Sequence, residues 1–287
     1  MNEKRPIVAW LGTGLMGTPM ATRLLESGWR VRVWNRTREK ARQLGDAGAQ
    51  ICTTPAAAVD AAEWVFTTLS DYQATNEILD QTGLSGKVLI QMATIAPDQS
   101  RALAQLTANK GGQYLEAPVL GSIPEASSGR LIIMAGGAEW LFQAIRPALE
   151  VLGESPRLIG EVGQAAALKL ALNQLIASLT VAFSTSLAYV TQEQVAVETF
   201  MEILRESALS APTFDKKISR MISHDYSAPN FPTEHLVKDI GLFLHSASEI
   251  TTAPLEVIEN LYESALKEHR FEDYSCVFEA VTRKDDS

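Results

Sequence analysis

Residues 7–24 read IVAWLGTGLMGTPMATRL, an apolar run that breaks at Gly12 into G-x-G-x-x-G and resumes with helical spacing. Gly12 allows the tight turn out of a strand. Gly14 lets the backbone approach a pyrophosphate with no Cβ in the way, and Gly17 permits close packing of helix on strand. Thr13, Leu15 and Met16 fill the positions between them, and the start of the following helix offers unpaired N–H groups to phosphate. A plain glycine-rich turn would share this spacing. The context favours dinucleotide binding: an apolar strand candidate, Ile7–Leu11, precedes the motif, and a second, Arg30–Trp34, follows the helix.

The end of that second strand bears on which dinucleotide. An Asp or Glu there would bond the ribose 2′-OH of NAD, but the sequence has Asn35-Arg36-Thr37, with Arg38 and Lys40 close behind. A guanidinium at Arg36 can lie against adenine and pair with a 2′-phosphate, while Asn35 and Thr37 supply hydrogen bonds. The alternative is an exposed basic turn. The first 42 residues hold nine Lys/Arg against three Asp/Glu, a local +6 in a chain whose net charge is −9. A site facing NADPH accounts for that reversal.

Outward from this unit, short β-like runs recur at Trp64–Leu69, Lys87–Met92, Tyr114–Val119 and Leu131–Ala135, with helical patterns such as Thr54–Ala62 and Gln99–Asn109 between them. Alternation of this kind predicts a mostly parallel sheet covered on both faces. Past Gly160 the sequence turns Ala/Leu/Val-rich. Gln164 to about Gln194 reads as one helix, apolar nearly all round and so in need of protein on every side. Helical patterns follow at Val197–Leu209, Glu234–Glu249 and Leu255–His269, with a Pro/Ser/Asn-rich loop at His224–Pro232. The expectation is an α/β fold: an N-terminal Rossmann-type doubly wound sheet over residues 1–162, joined by a long helix to an all-α domain over 163–287.

With 287 residues, 46% hydrophobic and 21% charged, the chain suits two soluble globular domains and excludes a disordered or collagen-like polymer. The acidic balance argues against nucleic acid or an anionic membrane as partner. Two distant cysteines, Cys52 and Cys276, exclude a disulfide framework and fit a reducing, cytoplasmic setting. The start lacks a signal-like h-region. Ala165–Val190 carries one formal charge, but Lys169, Asn173 and Gln174 within it favour a helix buried in protein over a membrane span. The four histidines show no ligand spacing, so no metal site is expected.

Four motifs together resemble the β-hydroxyacid dehydrogenase family, which includes 3-hydroxyisobutyrate dehydrogenases and glyoxylate/succinic semialdehyde reductases. They are LGTGLMGTPMATRL at 11–24, EAPVLGSIPEASSGRL at 116–131, GQAAALKLALN at 163–173, and Lys238-Asp239 in HLVKDIGL. Glu116 stands where Asp is usual, and Ile123-Pro124 and Ser127-Ser128 replace more polar residues. The Asn35-Arg36-Thr37 turn and the Gly121-Ser122 pair look more like the NADPH-dependent glyoxylate/succinic semialdehyde reductases.

The resemblance implies NADP(H) as cofactor and hydride transfer to a small aldehyde acid. Lys169 and Asn173, four residues apart on one helix face, would be the catalytic pair. Lys169 would give a proton to the substrate oxygen as charge grows there, and Asn173 would orient it. By itself, a Lys in an apolar helix could equally snorkel to solvent. Ser122, with backbone N–H groups around Gly121 and Ile123, resembles the family's cradle for the substrate carboxylate; a surface Ser in a turn is the bland alternative. Thr94, in MATIAP, would touch nicotinamide ribose or substrate. Leu69 and Lys238 would flank the cofactor, Phe231 would shield the nicotinamide side or anchor the core, and Asp239 would hold Lys238 or a neighbouring group in place.

Readings that remain open are a 3-hydroxyisobutyrate or tartronate semialdehyde enzyme, an imine reductase, whose catalytic helix generally lacks the Lys, and a non-catalytic NADPH-binding module. The long apolar helix points to a homodimer or homotetramer.

Overall fold

The computed structural model describes residues 5–283, and the chain divides between Lys169 and Leu170 into two compact units. The first opens with β1 (Ile7–Leu11), α1 (Gly17–Glu26), β2 (Arg30–Trp34), α2 (Arg42–Asp46) and β3 (Gln50–Ile51). It continues with α3 (Pro55–Asp60), β4 (Trp64–Thr67), α4 (Tyr72–Asp80), β5 (Val88–Gln91), α5 (Pro97–Asn109) and β6 (Gln113–Glu116). These six strands are parallel and lie in the order β3-β2-β1-β4-β5-β6. The order reverses beside β1. The glycine turn therefore leaves the carboxyl end of the strand where ligands gather in open α/β sheets.

Successive residues of each central strand feed opposite cores. Val8 and Trp10 of β1, Phe66 of β4 and Ile90 of β5 pack on one face with Met20, Leu24 and Leu149. Ala9, Leu11, Val65 and Leu89 pack on the other with Leu79 and Leu103. Both sides of a period-two strand are buried, which explains why the strands read as continuous apolar runs. Trp10 and Phe66 stack with ring centroids 5.2 Å apart.

The far edge differs from the sequence expectation. The run expected over Tyr114–Val119 splits into β6 and β7 (Val119–Leu120), because Pro118 has no N–H to continue the ladder. After α6 (Ile123–Ser128), β8 (Ile132–Gly136) runs antiparallel to both β6 and β7. Then α7 (Glu139–Leu152) leads to β9 (Arg157–Gly160), which pairs with β8 in parallel.

The long helix α8 spans Gln164–Gln192, 29 residues, and the unit boundary falls inside it. It is long and apolar enough to cross a membrane by length and composition, yet Lys169, Asn173, Thr180 and Ser184 are all buried in it. It is not covered all round, as its composition had suggested. Leu175, Leu179, Ala182, Ser186 and Tyr189 form an exposed stripe at helical spacing, with Tyr189 62% exposed.

The second unit is helical, as expected: α9 (Val197–Glu206), α10 (Pro212–Ser223), α11 (Thr233–Ser246), α12 (Ala253–His269) and α13 (Val277–Thr282). Ala177 of α8 packs with Leu236, Ile240, Leu255 and Tyr262, while Phe183 and Leu187 pack with Met201, Phe214 and Met221. A buried ion pair ties α10 to the segment between α12 and α13. Lys217 Nζ lies 2.8 and 2.7 Å from the two carboxylate oxygens of Asp273, which also accepts the Ser275 hydroxyl at 2.7 Å. The adjoining Tyr274 N–H donates to the Phe231 carbonyl and so pins the loop ahead of α11. Cys52 and Cys276 are buried free thiols, and burial pushes the Cys276 thiol up to about 12.

Candidate active site

In the first unit the glycine turn is held by backbone and by two braces. The Gly12 N–H donates to the Trp34 carbonyl, and the Thr13 N–H donates to Asn35 Oδ1, both at 3.0 Å. The Asn35 amide in turn donates to the Thr37 carbonyl at 2.9 Å. Asn35 thus couples the glycine turn to the basic turn, in addition to any part it plays toward a ribose. From beneath, the Thr68 hydroxyl donates to the Gly12 carbonyl at 2.7 Å, and Trp10 Nε1–H lies 3.1 Å from the same oxygen.

The three glycines serve different needs. Gly12 has φ +101°, and a Cβ there would sit 2.7 Å from the Thr68 carbonyl oxygen. A Cβ on Gly17 would come within 2.1 Å of the Gly12 carbonyl oxygen. A Cβ on Gly14 would meet nothing within 4 Å, so the space in front of it is open. Nor does any side chain cap α1, and its first turn holds no acidic residue. An open glycine before an uncapped helix start, with no carboxylate to repel an anion, fits a dinucleotide diphosphate.

Around this turn, Leu69 Cδ2 would be 3.1 Å from a Gly12 Cβ, which places Leu69 over the turn. Leu15, Arg36, Thr37, Arg38 and Lys40 are exposed, Met16 and Asn35 half-buried and Thr13 buried. Thr94 is half-buried in the segment joining β5 to α5.

Gly121, Ser122 and Ile123 depart from the arrangement the motif had suggested. Ser122 caps α6, and both its N–H and its hydroxyl donate to Glu125 Oε2, at 2.8 and 2.7 Å. This is a capping box closed by the Glu three residues on. A carboxylate of the protein itself thus occupies the Ser122 donors of the expected cradle, so a substrate anion reaching them must displace Glu125.

Lys169 and Asn173 lie on one face of α8 and are 8% and 1% exposed. Neither snorkels to bulk water. In the second unit Asn173 Nδ2 donates to Asp239 Oδ2 at 2.6 Å, and Lys238 Nζ stands 3.0 Å from Asp239 Oδ1. Asp239, 3% exposed, thus faces Lys238 and also Asn173, a partner the sequence had not suggested. Phe231 is half-buried and packs edge-on against Tyr274, centroids 5.8 Å apart. His235, one turn before Asp239, has its pKa lowered by burial and, after that, by the charge of Lys238.

Sequence reasoning missed three supports: Thr68 and Trp10 under the glycine turn, and Glu116. A buried Trp in a strand needs an acceptor for its indole N–H, which was the available signal for the first two. Glu116 carried none beyond its place in a motif.

A doubly wound sheet with an open glycine turn at its order reversal, followed by a helical unit, is the architecture of the dinucleotide-dependent oxidoreductases. The chain belongs to the β-hydroxyacid dehydrogenase family. Residues 7–163 match the NAD binding domain of 6-phosphogluconate dehydrogenase, and residues 163–279 match the NAD-binding domain of NADP-dependent 3-hydroxyisobutyrate dehydrogenase. Glyoxylate/succinic semialdehyde reductase 1 of Arabidopsis thaliana is 34% identical over 286 residues, covering 96% of this chain and 98% of the relative. The cytokine-like nuclear factor N-PAC of Homo sapiens is 32% identical over 243 residues, 82% of this chain and 43% of that protein. The fold also matches Mycobacterium tuberculosis 3-hydroxyisobutyrate dehydrogenase, with TM-score 0.89 at 22% identity over 98% of this chain and all of that one.

Proposed function

We propose that this protein reduces a small aldehyde acid of the glyoxylate or succinic semialdehyde type to the hydroxy acid, with NADPH as reductant. The observation that carries the reading is the buried Lys169 and Asn173 on one face of α8, with the Asn173 amide fixed by Asp239.

The cofactor, when bound, supplies hydride from its nicotinamide. Gly12 to Gly17 and the start of α1 would receive the diphosphate, and Leu69, Thr94 and Lys238 would be the further groups that hold the cofactor. Arg36 would pair with a 2′-phosphate, with Thr37 and Asn35 bonding around it. Lys169 donates a proton to the substrate oxygen, where negative charge develops in the transition state. Because Asn173 gives Nδ2 to Asp239, its carbonyl end is the one that orients the Lys169 ammonium or the substrate. Ser122, with Gly121 and Ile123, binds the substrate carboxylate once Glu125 swings away, and Phe231 keeps water from the reacting carbon.

The exposed stripe on α8 supports a homo-oligomer, since a monomer would leave Leu175, Leu179 and Tyr189 in water. A monomeric mass in sedimentation at micromolar concentration would contradict this. A second functional reading, a dinucleotide-binding module without turnover, draws on the likeness to a nuclear factor; the presence of Lys169 weighs against it.

Following NADPH and NADH oxidation with glyoxylate, succinic semialdehyde, tartronate semialdehyde and cyclic imines tests these readings. Turnover of an aldehyde acid with NADPH preferred supports the reductase. Turnover of imines alone, or tight NADPH binding with no turnover, overturns it.

A further inference from the structure

Glu116 ends β6 and is 1% exposed, yet it is not among the groups given a part in the reaction. Its Oε1 accepts the backbone N–H groups of Gly163 and Ala165, each at 2.8 Å, and of Ala166 at 3.3 Å. Ala165 and Ala166 lie in the first turn of α8 and Gly163 just ahead of it, and an unassisted helix leaves its first N–H groups without partners. Its Oε2 accepts the Ser100 hydroxyl, and Ser100 Oγ lies 2.7 Å from the Tyr114 hydroxyl. Ser100 spends its one hydroxyl proton on Glu116, so the Tyr114 hydroxyl, whose pKa burial pushes up, is the donor to Ser100. A two-step relay from the sheet thus fixes the carboxylate that fixes the helix.

The backbone is shaped to admit this carboxylate. Gly136 is the strand partner of Glu116, and a Cβ at Gly136 would lie 2.3 Å from Glu116 Oε1. The negative charge also sits at the positive end of the α8 dipole. Lys169 follows Ala166 by three residues, less than one turn of a rigid helix. A displacement at the start of α8 is therefore carried to Lys169 almost undiminished.

We propose that Glu116 is a positioning residue: its carboxylate clamps the first turn of α8 to the sheet and thereby sets where the Lys169 ammonium stands. The kinetic consequence rests on the proton-donor reading of Lys169; the clamp itself does not. Its reach matters as well as its charge, because the oxygen must meet three amides at once.

The test compares Glu116→Ala with Glu116→Gln. Gln keeps a carbonyl oxygen over the three amides and turns its N–H toward Ser100 Oγ, which can accept. Per NADPH-binding site, Glu116→Ala should lower kcat by about 10- to 100-fold, the range that a misplacement of about 1 Å can produce. KM for NADPH should stay near the wild-type value, and Glu116→Gln should recover most of kcat. A role in folding alone would lower the number of binding sites and leave kcat per site unchanged.

A second measurement needs no turnover. In protein labelled with 13Cε-lysine, the Lys169 resonance, assigned by its loss in Lys169→Met, should shift and broaden in Glu116→Ala and return in Glu116→Gln. If Glu116→Ala does not fold, Glu116→Asp withdraws the carboxylate by one methylene and takes its place with the same readouts. A Lys169 resonance that stays put when the clamp is removed overturns the proposal, whatever the kinetics. Failure of the wild-type enzyme to reduce any aldehyde acid would overturn the reductase reading alone, and the resonance would still decide the part played by Glu116.

Discussion

The glycine turn of the first unit and the Asn173–Asp239 corner of the second are built by different means. Around the turn, position is set by main chain: the conformation of Gly12, the close approach at Gly17, and the open space in front of Gly14. In the helical unit, position is set by pairs of side chains far apart in sequence. Asn173 meets Asp239 across 66 residues, and Lys217 meets Asp273 across 56. A backbone-built site is local and tolerates most side-chain changes except those that add atoms. A pair-built site fails when either partner is cut, because the other is left buried without its charge or bond.

That contrast can be broken most severely at Lys217. The pair with Asp273 is buried, the two side chains being 7% and 0% exposed. Lys217→Ala leaves a buried carboxylate uncompensated, a change that costs about 3–5 kcal/mol. The second unit should lose stability by that amount in denaturant titration, with the Phe231 loop loosening first. Asp273→Asn should be milder, because burial already draws the Lys217 pKa down and lets it shed its proton. Equal losses would show that the charge pair is not what holds the turn.

Gly17→Ala probes the opposite principle. The added Cβ meets the Gly12 carbonyl oxygen, which is backbone, as well as the Thr68 hydroxyl and the Trp10 indole nitrogen. Overpacking of this kind costs about 1–3 kcal/mol, and NADPH affinity should fall along with stability. Gly14→Ala should spare stability and weaken NADPH binding alone. A Gly14→Ala protein that binds NADPH normally would remove the diphosphate from that turn.

Smaller effects sharpen the cofactor and substrate assignments. Arg36→Ala removes a charge-assisted pair of roughly 1.5–3 kcal/mol, so KM for NADPH should rise by about one to two powers of ten while NADH is affected much less. Equal loss with both cofactors would refute the 2′-phosphate contact. Glu125→Ala frees the Ser122 N–H and hydroxyl and removes a like charge. KM for an aldehyde acid should then fall by about 2- to 10-fold, the worth of a hydrogen bond or so. A rise in KM would mean that Glu125 helps the substrate instead of competing with it.

The same contrast explains what the sequence made legible. β1, the glycine spacing, the strand ending at Trp34 and the long helix are all local patterns, and each stands where it was expected, while other strand ends shift by a residue or two. Helix α10 was not singled out, although Phe214, Ile218, Met221 and Ile222 recur at helical spacing within PTFDKKISRMIS. The bend at Pro118 could have been read from the missing N–H. The closure of Glu125 onto Ser122 was visible as an S-x-x-E capping pattern, but the functional resemblance drew the reading toward an open cradle. Glu116 on the α8 amides and Asp239 on Asn173 join residues 47 and 66 positions apart, and no periodicity reports such pairs. The exposed stripe on α8 escaped notice because apolar composition does not reveal which face a helix leaves uncovered.

The central claim is that Lys169 acts on the transition state and hardly on cofactor binding. Lys169→Met keeps the apolar stem and most of the volume, so α8 should still pack, while the proton and the charge are gone. General-acid donation is worth about 10²- to 10⁴-fold in rate. Single-turnover reduction of the preferred aldehyde acid should slow by that factor or more in Lys169→Met, with NADPH affinity, followed by cofactor fluorescence, close to wild type. A folded Lys169→Met enzyme that reduces the same substrate at a near-normal rate would contradict the account and assign the proton to another residue.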